Sequence, residues 1–486
     1  MRQKMESQAE PLWRRGFASL EHEYVEPIAL ETMGTIPEEL CGTLYRNGPA
    51  RNVIFGERLR HWFDGDGMVH AFSLSPSGVR YRNRFVASEG HLEENRAQRR
   101  LWRTFATPSA GGVVQRFLRR HKGKNGANTN IVLHAGTLFA LWEGGKPTRI
   151  DPVSLATLGE DDLDGNLVAV DEGYSAHPRF DAATGELWNF TSLFGAQPLT
   201  RILCRDAQGK TRLCAQVPMA LPAMAHDFAL TSRYVILKYD PYVLPRVPLL
   251  LILGQKSYGQ SLSWHPERGG KILLVPRAGG AVRSVDVPPR LMVHVIHAYE
   301  EGDDVILDVL AYADDAIMRT FLEVMVGPIH TPACAFPERV RIPPAGPARL
   351  ERLAATPMEL PRHLAPIGAR HRHVWATAWT DPASMLSTPV RLDVDSGATQ
   401  LATMAPGEFA GECVPVRKRG ATSDGAAWIL TVVLDAEKRR SELRILDGED
   451  LTAPPVARAF VPHMIPFGFH GSFVSAAEVQ AAAQRR

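Results

Sequence analysis

A chain of 486 residues that sets 55 Lys and Arg against 53 Asp and Glu has a formal charge of only +2, so no general field draws it to nucleic acid or another polyanion. The composition suits one large soluble protein, and no stretch reaches the roughly 18 apolar residues of a membrane span. Five cysteines, Cys41, Cys204, Cys214, Cys334 and Cys413, form no C-x-x-C pair, and the odd count argues against a disulfide framework; reduced thiols and a cytoplasmic location are expected.

The first ten residues carry basic side chains with no apolar core behind them, unlike a secretory signal. Proline and glycine are spread throughout and no linker divides the chain, so one domain over residues 1–486 is expected, with an N-terminal extension (1–25) and a C-terminal tail (475–486). The run Asp64-Gly65-Asp66-Gly67 fails as a calcium loop, because an EF-hand needs Asp at alternate positions and Glu at the twelfth, where Ser75 stands. It also lacks the Lys-Ser/Thr of a phosphate cradle.

Two segments, 91–105 and 112–120, read as helices, and both are expected to be insertions over one face. Most of the rest reads as short strands: 130–142 as two strands around His-Ala-Gly, then 304–312 and 427–434. A weak repeat starts with an apolar residue and Asp, at Asp151, Asp181, Asp393 and Asp447. An Asp there can bond its own backbone two residues on and close a turn between strands. Recurring strand–turn–strand units predict an all-β fold, a β-propeller or a large barrel, although spacing alone does not count the blades.

Residues 241–254 combine three further prolines with a run of aliphatic residues and Arg246. Prolines disfavour a regular strand, and the arginine would be awkward in a core. A loop presenting Leu249, Leu250, Leu251, Ile252 and Leu253 to a bilayer interface accounts for both, with peripheral docking on the inner membrane surface.

Four histidines sit in apolar, strand-like phrases: His177 in YSAHPRF, His226 in MAHDFAL, His294 in MVHVIHAYE and His470 in PFGFHG. Successive separations of 49, 68 and 176 residues mean that only a closed fold can gather them. Neutral imidazole suits Fe, Zn, Cu and Ni. No cysteine accompanies them, unlike most structural zinc sites.

Together with GTLYRNGP (42–49) and HWFDGDGMVHAF (61–72), these phrases resemble the carotenoid cleavage oxygenase family over about residues 42–474. The resemblance implies a seven-bladed β-propeller with a helical and loop cap over the metal face, and one Fe(2+) per chain held by His177, His226, His294 and His470. It also implies that Glu143, Glu359 and Glu412 accept hydrogen bonds from the ligating imidazoles, fixing their tautomers. The Asp-Gly-Asp-Gly phrase is structural in that family, which makes His61 and His70 decoys. The family phrase His-x-x-Asn-Ala-aromatic-Glu makes His294 the ligand and puts His297 in the Asn slot. Residues three apart on a strand face opposite ways, so only one of the pair can reach a metal.

The implied reaction is oxidative cleavage by dioxygen of a conjugated carbon–carbon double bond in a lipophilic carotenoid or apocarotenoid, giving two carbonyl products. No catalytic acid or base beyond the metal centre is expected, and neither is an obligate protein partner. The alternative on the same fold is a stilbene-cleaving dioxygenase. In such relatives the slot of Trp142 holds a Lys that meets the phenol, so Trp142 is a tunnel candidate favouring a polyene. The Pro-Asp-Pro-Cys-Lys motif of the animal branch, which includes the isomerases, is absent.

Overall fold

The computed structural model describes residues 10–485 except 170, 171, 196, 220 and 221; the first nine residues of the expected extension and the last residue of the tail lie outside it. Seven antiparallel sheets of four to six strands make seven propeller blades. The innermost strands bring the centre together.

The ring is latched at both ends of the chain. In the first blade the C-terminal strand Gly471–Ser475 pairs with Gly42–Arg51, and in the seventh the N-terminal strand Glu31–Gly34 pairs with Ala457–Val461. Each closing blade thus mixes the two ends, so neither can peel away without breaking a sheet. The blades between are consecutive. The fifth runs through Leu291–Glu301, Asp304–Tyr312, Phe336–Ile342 and Arg349–Arg352, and the sixth through Met358–Arg362, His373–Ala378, Thr388–Asp393 and Thr399–Leu401.

The Asp repeat forms the turns expected of it. Asp151 Oδ1 accepts from the amides of Val153 and Ser154, Asp181 from Ala183, Asp393 from Asp395 and Ser396, and Asp447 from Glu449. In three of them the residue four after the Asp turns left-handed: Leu155 (φ 57°), Gly185 (φ 72°) and Gly397 (φ 72°). Glycine adopts that conformation without steric cost, and Leu155 does not.

The Asp64–Gly67 run ties the cap to the first blade. Buried Asp64 accepts from the Ala106 amide and the Thr107 hydroxyl, while buried Asp66 meets Arg51, His91 and Lys124. Lys124 continues to Glu94 at 2.6 Å. Gly67 has no room for a side chain, since a Cβ there would lie 2.4 Å from the Ala127 carbonyl oxygen.

The two expected helices are present but shorter. Glu89–Ala97 stops where Gln98 turns left-handed (φ 49°), and Arg100 then bonds Glu57 and the Pro108 carbonyl instead of continuing the helix. The second spans Val113–Leu118. A third, Ala316–Val326, stands where no helix was expected; its buried residues Ile317, Met318, Thr320, Val324 and Met325 recur at helical spacing. The described parts of both terminal segments carry regular structure. Leu12–Phe17 forms a 3-10 helix that buries Trp13 and Phe17 against Trp62 and Phe467, and Ala476–Gln484 is a helix whose N-terminus is capped by Ser475 and Glu478.

Candidate metal centre

Each histidine is delivered by a different blade, at or beside an inner strand. His177 lies between Gly173–Tyr174 and Arg179–Asp181, His226 just before Phe228–Leu230, His294 within Leu291–Glu301, and His470 just before Gly471–Ser475. Their ligand nitrogens all fall within 4.8 Å of one another. His177 Nε2 is 2.9 Å from His226 Nε2, and His294 Nε2 is 3.1 Å from His470 Nε2.

Three of the four turn their other nitrogen to a carboxylate. His226 Nδ1 lies 2.9 Å from Glu143, His294 Nδ1 2.5 Å from Glu359, and His470 Nδ1 2.8 Å from Glu412. A carboxylate accepts only, so Nδ1 carries the proton and Nε2 presents its lone pair to the centre. Lone pairs on nitrogens this close repel one another, and a cation between them removes the repulsion. The donor set therefore fits a metal ion, of the imidazole-preferring kind.

Burial, reinforced by the neighbouring imidazoles, pushes His177 well below the usual histidine range. His470 falls to about 4, burial outweighing the pull of Glu412. For His226 burial is overcome by Glu143, and its pKa rises. Glu412 is held far below the carboxylate range because Arg362, Arg46 and His470 together outweigh its burial.

Local backbone explains how the carboxylates reach inward. Leu360 is left-handed (φ 59°) and its amide donates to Glu359 at 2.8 Å, beside a register shift between Glu359 and Arg362. This strained residue aims Glu359 across the seam between blades. Gly173 lies so near the Glu143 carbonyl oxygen that a Cβ would come within 1.7 Å of it, leaving glycine as the one residue that fits.

A largely apolar chamber abuts the histidines, concave and carrying a few convergent polar groups as a small-molecule site does. Trp62, Phe63, Tyr312, Phe321, Trp379 and Phe469 give it aromatic walls, and Glu143, His226, His294, Glu359 and His470 form its polar end. No Lys or Arg is among its lining residues.

This sequence and this fold match those of known proteins. The family model of retinal pigment epithelial membrane protein (RPE65) matches residues 17–475. The chain belongs to the carotenoid oxygenase family.

Relatives of this chain include the apocarotenoid-15,15'-oxygenase of Synechocystis, 34% identical over 95% of this chain and 96% of that protein. The carotenoid cleavage oxygenase of Mycobacterium tuberculosis is 27% identical over 91% and 93%. The solved structure of the cobalt-substituted Synechocystis enzyme superimposes with a TM-score of 0.84 at 32% identity, covering 96% of this chain and 98% of that one.

Residues outside the centre are as instructive. His61 bonds the Phe63 amide and packs on Phe105 and Phe321; His70 bonds the Tyr81 hydroxyl. Burial lowers both to about 3, and neither joins the four-histidine group. His297 turns away from His294 and bonds the Ala369 carbonyl at 2.8 Å. Trp142 is buried with its indole over Gly144, and it is not among the residues lining the chamber.

The sequence reading did not single out Asp227, directly after His226. Its oxygens take Arg179 and the amides of Phe228 and Val295, joining the strands that carry His177, His226 and His294. Nor did it single out Arg46 and Arg362, which pin Glu412. An acidic residue beside a candidate ligand was the available signal.

Proposed function

We propose that this chain is an Fe(2+)-dependent dioxygenase that cleaves a conjugated double bond of an apocarotenoid or carotenoid to two carbonyl products. The observation that carries the reading is an aromatic chamber, with no Lys or Arg among its described lining residues, that ends at His226, His294 and His470, three of the four converged imidazoles. His177, His226, His294 and His470 would hold the iron, with Glu143, Glu359 and Glu412 fixing three of their tautomers. Bound iron(II) supplies one thing side chains lack, the activation of dioxygen for addition to an alkene. The chain's own part is positional: aromatic walls bind and align one double bond and exclude water. The names of the Synechocystis and Mycobacterium relatives support the substrate class. Anaerobic loading with iron(II), followed by a panel of apocarotenals, carotenoids and stilbenes with products identified by mass, tests it; absence of polyene cleavage overturns it.

A lipid-dissolved substrate calls for a docking surface. In the loop of 241–254, Leu249–Ile252 forms one helical turn in which Leu249 is 57% and Ile252 53% exposed, whereas Leu251 packs against the core and Leu253 is half-buried. The neighbouring helix Val113–Leu118 adds Val113, Val114 and Leu118, each exposed by about 70%, and Gln255 bonds the Val113 carbonyl between them. No described helix is long and apolar enough to cross a membrane. These two short helices together form the interface by which the protein rests on the cytoplasmic side of a bilayer.

A further inference from the structure

A second group of imidazoles lies outside the centre. His297, His363 and His371 cluster between the fifth and sixth blades, with ring centroids 4.3 Å (His297–His363), 5.1 Å (His297–His371) and 5.9 Å (His363–His371) apart. In the four-histidine centre the ring contacts run from 4.4 to 5.1 Å, so the two contacts of His297 are comparable and the His363–His371 pair is wider. Their hydrogen bonding is incomplete. His363 Nδ1 and both nitrogens of His371 are buried without a partner, and His371 is 1% exposed.

Buried polar groups are nearly always satisfied, and with His371 Nε2 facing Asp308 the two Nδ1 atoms of His363 and His371 still call for water or an ion. The tautomers point to the ion. His297 Nε2 donates to the Ala369 carbonyl, which leaves its Nδ1 as a lone pair. His371 Nε2 lies 3.4 Å from Asp308, itself clamped by Arg339. Directed at that carboxylate, the Nε2 proton leaves His371 Nδ1 as a lone pair too, in the arrangement that orients metal-binding histidines.

We propose that His297, His363 and His371 form a second site for a borderline divalent cation such as Zn2+, through their Nδ1 atoms, with a water completing the coordination. Among the described residues only the first centre has its ligand nitrogens already within 4.8 Å of one another, so the second closes by turning the His363 ring. No hydrogen bond to His363 Nδ1 opposes that turn. Access exists, because His363 also lines an open cavity with Arg362 and Arg417. A cation here would staple the strand carrying His294 to the strand carrying Glu359, since His297 shares the first and His363 directly follows the second.

The test uses the iron-loaded enzyme titrated with Zn2+, with iron and zinc counted separately per chain after removal of loose metal. The expected result is one zinc bound with iron retained, and anomalous scattering from zinc beside these three rings. His363→Leu should weaken zinc binding at least tenfold without loss of iron, and His371→Phe should do the same. If His371→Phe fails to fold, His363→Leu decides alone, since its side chain reaches the open cavity. Zinc that binds only by displacing iron, zinc binding unchanged in His363→Leu, or an ordered water with no zinc at the rings of the zinc-titrated enzyme would each overturn the proposal.

Discussion

Glu359 and His294 meet at 2.5 Å across the seam between the fifth and sixth blades, although 65 residues separate them in the chain. Beyond His294, Glu359 accepts from the Leu360 amide and faces the Tyr312 hydroxyl, and no Lys or Arg pairs with it among the described residues. Glu412 differs, for it also takes Arg46, Arg362 and the Gly471 amide. Glu359→Gln should therefore reduce metal affinity about 10–100-fold while leaving the melting temperature near wild type. Glu412→Gln should lose metal and also cost about 3–5 kcal/mol of stability, because buried Arg46 is left without its counter-charge. Metal content at limiting iron and a thermal melt separate the two; equal loss of stability in both variants would contradict the distinction.

His294 and His297 share one strand, yet register shifts on either side of Val295 leave one ring at the centre and the other at Ala369. His294→Ala should abolish iron binding and activity, as should Ala at His177, His226 or His470. His297→Ala, His61→Ala and His70→Ala should each retain iron at the four-histidine centre. Iron counts on the purified variants check this, and loss of iron in His297→Ala alone would reverse the assignment.

The four histidine phrases were legible because each sits where an inner strand begins or runs, so its apolar surroundings stand out from a surface histidine. The turns were legible because an Asp that bonds its own backbone is a local device, visible within five residues. The Ala316–Val326 helix was not: it lies between strands of one blade, and its apolar face at Phe321, Val324 and Met325 is legible only beside Trp62 and Phe467. Leu251 was misjudged for a similar reason. Along a bare aliphatic run nothing in sequence tells which residue of a single helical turn faces the core.

The interface at Leu249–Ile252 predicts a selective defect. Leu249→Asp with Leu118→Asp removes two exposed apolar side chains at no cost to the core, so fold and iron content should stay intact. Liposome co-sedimentation and turnover of vesicle-borne substrate should fall, whereas turnover in detergent should hold. Leu251→Asp should behave otherwise and destabilise the protein, because that side chain packs against the core cluster. Unchanged liposome binding in the double variant would remove the docking role from this surface.

The chamber itself predicts the choice of substrate. A phenolic stilbene gains from a cation that stabilises developing phenolate charge in a low-dielectric site, and no lysine or arginine is among the residues lining this one. Thr129, Tyr312, Thr320 and Ser384 offer only hydroxyls, while Trp62, Phe63, Phe321, Trp379 and Phe469 offer π-faces to an extended apolar chain. Turnover of an apocarotenal or carotenoid should therefore exceed that of a 4-hydroxystilbene by at least about tenfold in kcat/KM, roughly 1.4 kcal/mol of transition-state discrimination. Removing an aromatic wall, as in Phe321→Ala, should narrow that ratio by lowering polyene turnover more than stilbene turnover, since the longer substrate uses more of the wall. Competition between the two substrates in one reaction, with aldehyde products resolved by mass, measures the ratio directly. Efficient cleavage of the hydroxystilbene with no polyene product would assign this chain to the stilbene-cleaving branch.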